Sequence, residues 1–106
     1  MINAVLRDVP GKKVHNLTGL IKENDDEVSL GRAGYGNLIE LGQDTTISRQ
    51  HATITYLDIG KFCIKDHSTN GTRINEEIIH AEKGYLRHGD KLWFGNYGPV
   101  VYEEKD

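Results

Sequence analysis

Apolar and polar positions along this chain alternate in short runs separated by turn residues. In "KFCIK" (61–65), Phe62 and Ile64 fall on one face and Lys61 and Lys65 on the other, the period-two pattern of a strand with one side in a core. "ATITYL" (52–57), "TRIN" (72–75), "EIIH" (77–80), "KLWF" (91–94) and "PVVYE" (99–103) read as strands too. So do "INAVLRD" (2–8), "HNLTGLI" (15–21), "VSLGR" (28–32) and "NLIEL" (37–41). The later runs are rich in Val, Ile, Thr, Tyr and Phe and recur about every eight to twelve positions, as in a sandwich or barrel. Runs of helical periodicity are absent. The expected fold is therefore all-β. Leu92, Trp93 and Phe94 read as core or sheet residues, with nothing to suggest a stacking platform, and "KENDDE" (22–27) reads as a solvated loop.

Composition narrows the class. A chain of 106 residues is expected to form a single domain over 1–106, burying roughly two-thirds of its unfolded surface. With 37% apolar and 27% charged residues it reads as globular, and no run approaches the ~20 apolar residues of a membrane span. Charge at Arg7 and Asp8 interrupts any signal-peptide core in "MINAVLRDVPGKK", so a cytoplasmic location is expected. On that expectation the sequons Asn16-Leu17-Thr18 and Asn70-Gly71-Thr72 carry no meaning. A net charge of −3 argues against a general nucleic-acid binder but leaves room for a local cationic pocket. Cys63 is the only cysteine and reads as a packing residue, and the five histidines lack metal-ligand spacing. Neither a metal nor a cofactor is expected.

Counting residues brings two loops together. If "ATITYLD" runs away from "TTISRQH" (45–51), the chain turns at Asp58-Ile59-Gly60 and "KFCIKD" returns over a similar length. The loop starting at His67 then lies beside the loop holding Ser48, which makes neighbours of Ser48, Arg49, Ser68, Thr69 and Asn70. The direction of the chain between 32 and 48 stays ambiguous, so this count does not place Arg32. Hydroxyls, an amide and a guanidinium together suit the oxygens of a phosphate. A phosphate carried on a peptide is the expected guest. Taken alone, "STNGT" (68–72) is adequately explained as an Asn-Gly hairpin.

Two sharper readings fare worse. "GRAGYG" (31–36) resembles a nucleotide-binding glycine loop, which needs a helix after it, and here the strand-like "NLIEL" follows. Ser48, His51 and Asp66 suggest a hydrolase triad, yet the G-x-S-x-G elbow is missing, so no enzyme is expected.

Gly31-Arg32, then Ser48-x-x-His51, then Ser68-Thr69-Asn70-Gly71-Thr72 stand in an order and spacing that resemble the forkhead-associated (FHA) family. Ile74-Asn75, Leu86-x-x-Gly89-Asp90 and Phe94-Gly95 extend the match, which covers roughly residues 28–103. The resemblance implies a β-sandwich of two mainly antiparallel sheets with about ten or eleven short strands. It implies a module that recognises phosphothreonine in partner proteins, downstream of a Ser/Thr kinase. Arg32 and Ser48 would bind the phosphate, Thr69 would add a contact, and Asn70 and Arg49 would hold the peptide backbone. The surface near Asn70 would receive the phosphothreonine methyl. His51 would brace its loop from behind, and Gly31 and Gly71 would permit the loop geometry. Thr46 stands where relatives often read the third residue after the phosphothreonine, and Ser68 is a second candidate for specificity. The chain departs from the family pattern at Gly34, Gly36, Leu38 and Glu76. The alternative function is a scaffold that binds partners irrespective of phosphate; such relatives usually lack the arginine or the serine, and both are present here.

Overall fold

The computed structural model describes residues 2–23, 27–57 and 59–105. In chain order the elements are β1 (Asn3–Asp8), β2 (Lys13–Asn16), α1 (Leu17–Glu23), β3 (Val28–Gly31), β4 (Ile39–Glu40) and β5 (Ala52–Leu57). They continue as β6 (Lys61–Asp66), β7 (Thr72–Ile74), β8 (Glu77–Ile79), β9 (Lys83–Tyr85), β10 (Lys91–Phe94) and β11 (Tyr97–Lys105). One sheet runs β2-β1-β11-β10-β7-β8 and the other β4-β3-β5-β6-β9. Each registered pair is antiparallel apart from β3 with β4. The β architecture expected from the alternating pattern is present, with one short helix added, and it takes the form of the two-sheet sandwich that the family resemblance implied.

Period-two burial explains the packing. In β6 the side chains of Phe62, Ile64 and Asp66 are buried while Lys61 and Lys65 are exposed, and Cys63 is buried as expected. Leu92 and Phe94 of β10 and Val100 and Tyr102 of β11 face them from the other sheet, all fully buried. Tyr56, Phe62 and Tyr102 meet at tilted or edge-on angles with centroids 4.9 and 5.9 Å apart. Replacing Phe62 by Ala at this centre would cost about 3–5 kcal/mol.

Segment 15–21 departs from expectation. Only His15 and Asn16 lie in a strand: β2 ends at Asn16 and α1 takes over from Leu17. Leu17, Leu20 and Ile21 stand at i, i+3 and i+4, a helical face that a short window does not separate from strand alternation. The Asn16 Oδ1 accepts the Gly19 N–H at 3.3 Å as a helix cap. The Thr18 hydroxyl accepts from the Ala4 N–H and donates to the Ile2 carbonyl, both at 2.9 Å, tying the helix to β1. Of "KENDDE", Lys22, Glu23 and Glu27 are exposed and 24–26 lie outside the described residues. Edge strand β9 left no apolar signal because it pairs with β6 through its backbone, with Lys83 and Tyr85 exposed. The turn between β5 and β6 carries Gly60 at φ 80°, and Asp58 lies outside the described residues.

Candidate functional site

Three loops meet at one end of the sandwich: 32–38 after β3, 41–51 before β5, and 67–71 between β6 and β7. The registers put them there, since β5 pairs antiparallel with both β3 and β6, Ala52 lying opposite Leu30 and Asp66. Backbone bonds continue the ladder past the strand ends. His51 N–H donates to Leu30 (2.8 Å), His67 N–H to His51 (2.9 Å), and Arg32 N–H to Ser48 (3.0 Å). The last bond settles the position that counting left open, placing Arg32 against the loop that carries Ser48.

The rim of this cup is rich in donors. The Ser48 Oγ accepts the Thr69 N–H at 3.0 Å, and its own hydroxyl proton has no acceptor among the described residues. The Arg32 Nε donates to the Ile47 carbonyl at 2.9 Å and a terminal nitrogen to Thr45 at 3.4 Å, leaving other guanidinium N–H groups uncommitted. Exposed Tyr35 gathers both arginines, with the guanidinium carbons of Arg32 and Arg49 lying 5.5 and 5.1 Å from its ring centre. Thr69 is exposed, and Asn70 is exposed with its amide donating to the Thr46 carbonyl at 3.0 Å.

Thr46 and Ser68 occupy different surroundings. The Thr46 hydroxyl donates to Asp44 (2.7 Å) and accepts the Asn96 N–H (2.8 Å), so it links loops rather than pointing at a guest. The Ser68 hydroxyl is buried, donating to Asp66 (2.6 Å) and accepting the Gly71 N–H (2.7 Å). It shapes the turn from beneath.

The floor is buried and fully bonded. His51, with no exposed surface, accepts the Ser48 N–H at Nδ1 (3.0 Å) and bonds the Gly71 carbonyl through Nε2 (2.9 Å). A neutral ring protonated at Nε2 satisfies both contacts. Burial accordingly holds the imidazole below its ordinary pKa, against the opposing pull of the Gly71 carbonyl and Asp66. Burial pushes Asp66 up, but bonds from Ser68, the Ala81 N–H and Thr72 outweigh it and keep the carboxylate ionised. Gly71 adopts φ 88°, the left-handed region that favours glycine. Gly31 is there for space: a Cβ would collide with the Arg49 carbonyl and the Asn37 amide.

Sequence reasoning missed Tyr35, Asn37 and Asp44. Asn37 is buried and holds the Arg49 carbonyl at 2.6 Å, while Tyr35 lay hidden in a stretch read only for its glycines. Asp44 is an acidic neighbour of Arg32, held ionised by the Thr46 N–H and hydroxyl. Glu40 is engaged by the Gly34 and Tyr35 N–H groups at 2.9 and 3.4 Å. Both nitrogens of His51 are spent on backbone groups, so it cannot act as a base for the Ser48 hydroxyl, and the triad has no geometry here. Among the described residues no group of three or more His, Cys, Asp or Glu is placed to hold a metal.

Comparison with known proteins agrees with this architecture. The chain is 34% identical to Nibrin of Mus musculus over 91% of its own length, spanning 12% of that much longer protein. An FHA domain of an Arabidopsis thaliana hypothetical protein superimposes with a TM-score of 0.81 at 24% identity, covering 100% of this chain and 88% of that one. The MEK1 FHA domain in complex with a HOP1 phosphothreonine peptide superimposes at 0.76 with 21% identity, covering 100% of both chains. The family model for the FHA domain matches residues 28–95, and the chain belongs to that family.

Proposed function

We propose that this domain binds phosphothreonine-bearing segments of partner proteins and performs no chemistry on them. The observation that carries the reading is the Thr69 N–H bond to the Ser48 Oγ, which orients the Ser48 hydroxyl as a donor beside the Arg32 loop. In this reading Arg32 and Ser48 grip the phosphate and Thr69 contributes a further contact. Asn70 and Arg49 hold the peptide backbone on either side. Gly31, His51 and Gly71 keep the loops in place, with Ser68 bracing the turn and Thr46 joining it to the neighbouring loops. A Ser/Thr protein kinase acting on a cytoplasmic partner supplies the mark.

Phosphothreonine carries nearly two charges at neutral pH, with a second pKa of about 6. Each charge-assisted hydrogen bond contributes roughly 1.5–3 kcal/mol, so a few of them separate a phosphorylated from an unphosphorylated peptide by more than a hundredfold. Titration calorimetry of matched phosphothreonine and threonine peptides tests this. Binding only of the phosphorylated form is expected, and equal binding of both would replace the reading with a phosphate-independent scaffold.

A further inference from the structure

A row of three side chains crosses the outer face of the six-stranded sheet beside the cup. Arg73 of β7 stands directly opposite Trp93 of β10 and, on its other side, opposite Ile78 of β8. Their chain neighbours Thr72, Leu92 and Phe94 point into the core, so alternation turns Arg73 and Trp93 outward. The Arg73 guanidinium lies 3.9 Å over the Trp93 ring. The indole in turn rests on Gly98, where a Cβ would come within 2.7 Å of it. Trp93, expected only as a sheet residue, is thus the bed of a stacked cation.

This row forms one end of a concavity of about 550 Å³ whose other end is Thr46, Asn70 and Gly71. The hollow therefore runs from Thr46 and Asn70, at the edge of the candidate phosphate cup, onto the sheet. Ile78 beside it is 67% exposed, a large apolar side chain left to solvent. Arg73 has no ion-pair partner among the described residues. Stacking fixes a guanidinium while leaving its edge N–H groups outward, which lowers the ordering cost of pairing with a carboxylate. On the far side of the stack the surface carries Lys91 and Glu76, whose charges offset each other.

Distance selects what fills the groove. Arg73 lies three residues after Asn70, past the turn at Gly71, so the two stand at most about 10 Å apart at ~3.3 Å per residue, a span that an extended partner segment covers in about three residues. We propose that the groove takes the extended stretch flanking the phosphothreonine, with Arg73 on Trp93 pairing an acidic side chain roughly three to five residues away. An apolar neighbour of that acid rests on Ile78. The inference builds on the phosphothreonine reading and adds the flanking chemistry that the same site selects.

The test scans glutamate through the positions flanking phosphothreonine in an otherwise alanine-rich peptide, with affinities from fluorescence anisotropy. Wild type is expected to favour Glu at one flanking position by about two- to fivefold. Arg73→Gln should erase that preference while leaving the all-alanine phosphopeptide unchanged. Trp93 is the only tryptophan, so its emission should shift with the long glutamate peptide and not with a phosphothreonine tripeptide. A flat scan with tight phosphopeptide binding overturns the groove assignment and leaves the phosphate site standing. Equal weakening of both peptides by Arg73→Gln overturns it as well, as does a glutamate preference that survives the substitution. A concentration-dependent dimer dissolved by Arg73→Gln would assign the face to a second copy instead. Failure of every phosphopeptide to bind wild type removes the underlying site reading itself.

Discussion

The floor and the rim of the cup are built from similar polar side chains in opposite environments. On the floor, Asp66 and His51 are buried and each makes several hydrogen bonds within the protein. On the rim, Arg32, Arg49 and Thr69 keep donors for something outside, around a loop whose Gly34 and Gly36 have positive φ and open space where a side chain would stand. A buried polar group must find its partners inside the protein, whereas an exposed one exchanges them with water at little cost. Damage to the floor should therefore appear as lost stability, and damage to the rim as lost binding.

The largest effect expected is from Asp66→Ala, which leaves the Ser68 and Thr72 hydroxyls and the Ala81 N–H without their acceptor. Urea unfolding should show a loss of about 3 kcal/mol or more; a loss under about 1 kcal/mol would mean the floor does not stiffen the site. Arg32→Ala should invert that pattern. Phosphopeptide affinity should fall by about 1.5–3 kcal/mol, roughly ten- to over a hundredfold, with the unfolding midpoint nearly unchanged. Calorimetry and urea unfolding on the same sample would decide, and a loss of stability alone would break the contrast.

A smaller effect separates the two regions by pH. The His51 pKa lies below its unfolded value, so the unfolded chain takes the proton first as pH falls. Stability from this residue is complete above about pH 6.5 and declines below it, by at most about 1.4 kcal/mol per pH unit. Burial lowers His15 in the same sense, so the readout is the gap between wild type and His51→Gln. That gap should narrow between pH 7.5 and 5.5, and a constant gap would show that His51 does not bind its proton differently on folding. Smallest is Tyr35→Ala, which removes the ring beneath two guanidinium groups, that of Arg49 exposed and that of Arg32 half-buried. Each cation–π contact contributes about 0.5–1 kcal/mol, so affinity should drop several-fold while Tyr35→Phe stays near wild type. Equal losses in the two variants would shift the credit to the hydroxyl.

The strands were legible because alternation in a half-buried strand is written residue by residue, as in Phe62 and Ile64 against Lys61 and Lys65. Segment 15–21 was not, because two helical turns place Leu17, Leu20 and Ile21 in a pattern too short to separate the periods. The hairpin of β5 and β6 was legible enough to predict that the loops of Ser48 and Thr69 meet, since equal strand lengths return a chain to its starting end. Ser68 stood in sequence as a candidate for specificity, and its burial over Asp66 turns it inward.

The chain by itself specified a β-rich sandwich or barrel and the order of the residues that crowd one of its tips, because strand periodicity and turn chemistry act over a few neighbouring residues. Tertiary structure decided which hydroxyls look inward, that Arg32 anchors beside Ser48, and that Arg73, Trp93 and Ile78 form one row. Those relations join residues as many as twenty positions apart through sheet register, and register emerges only when whole strands pair and bury a common core.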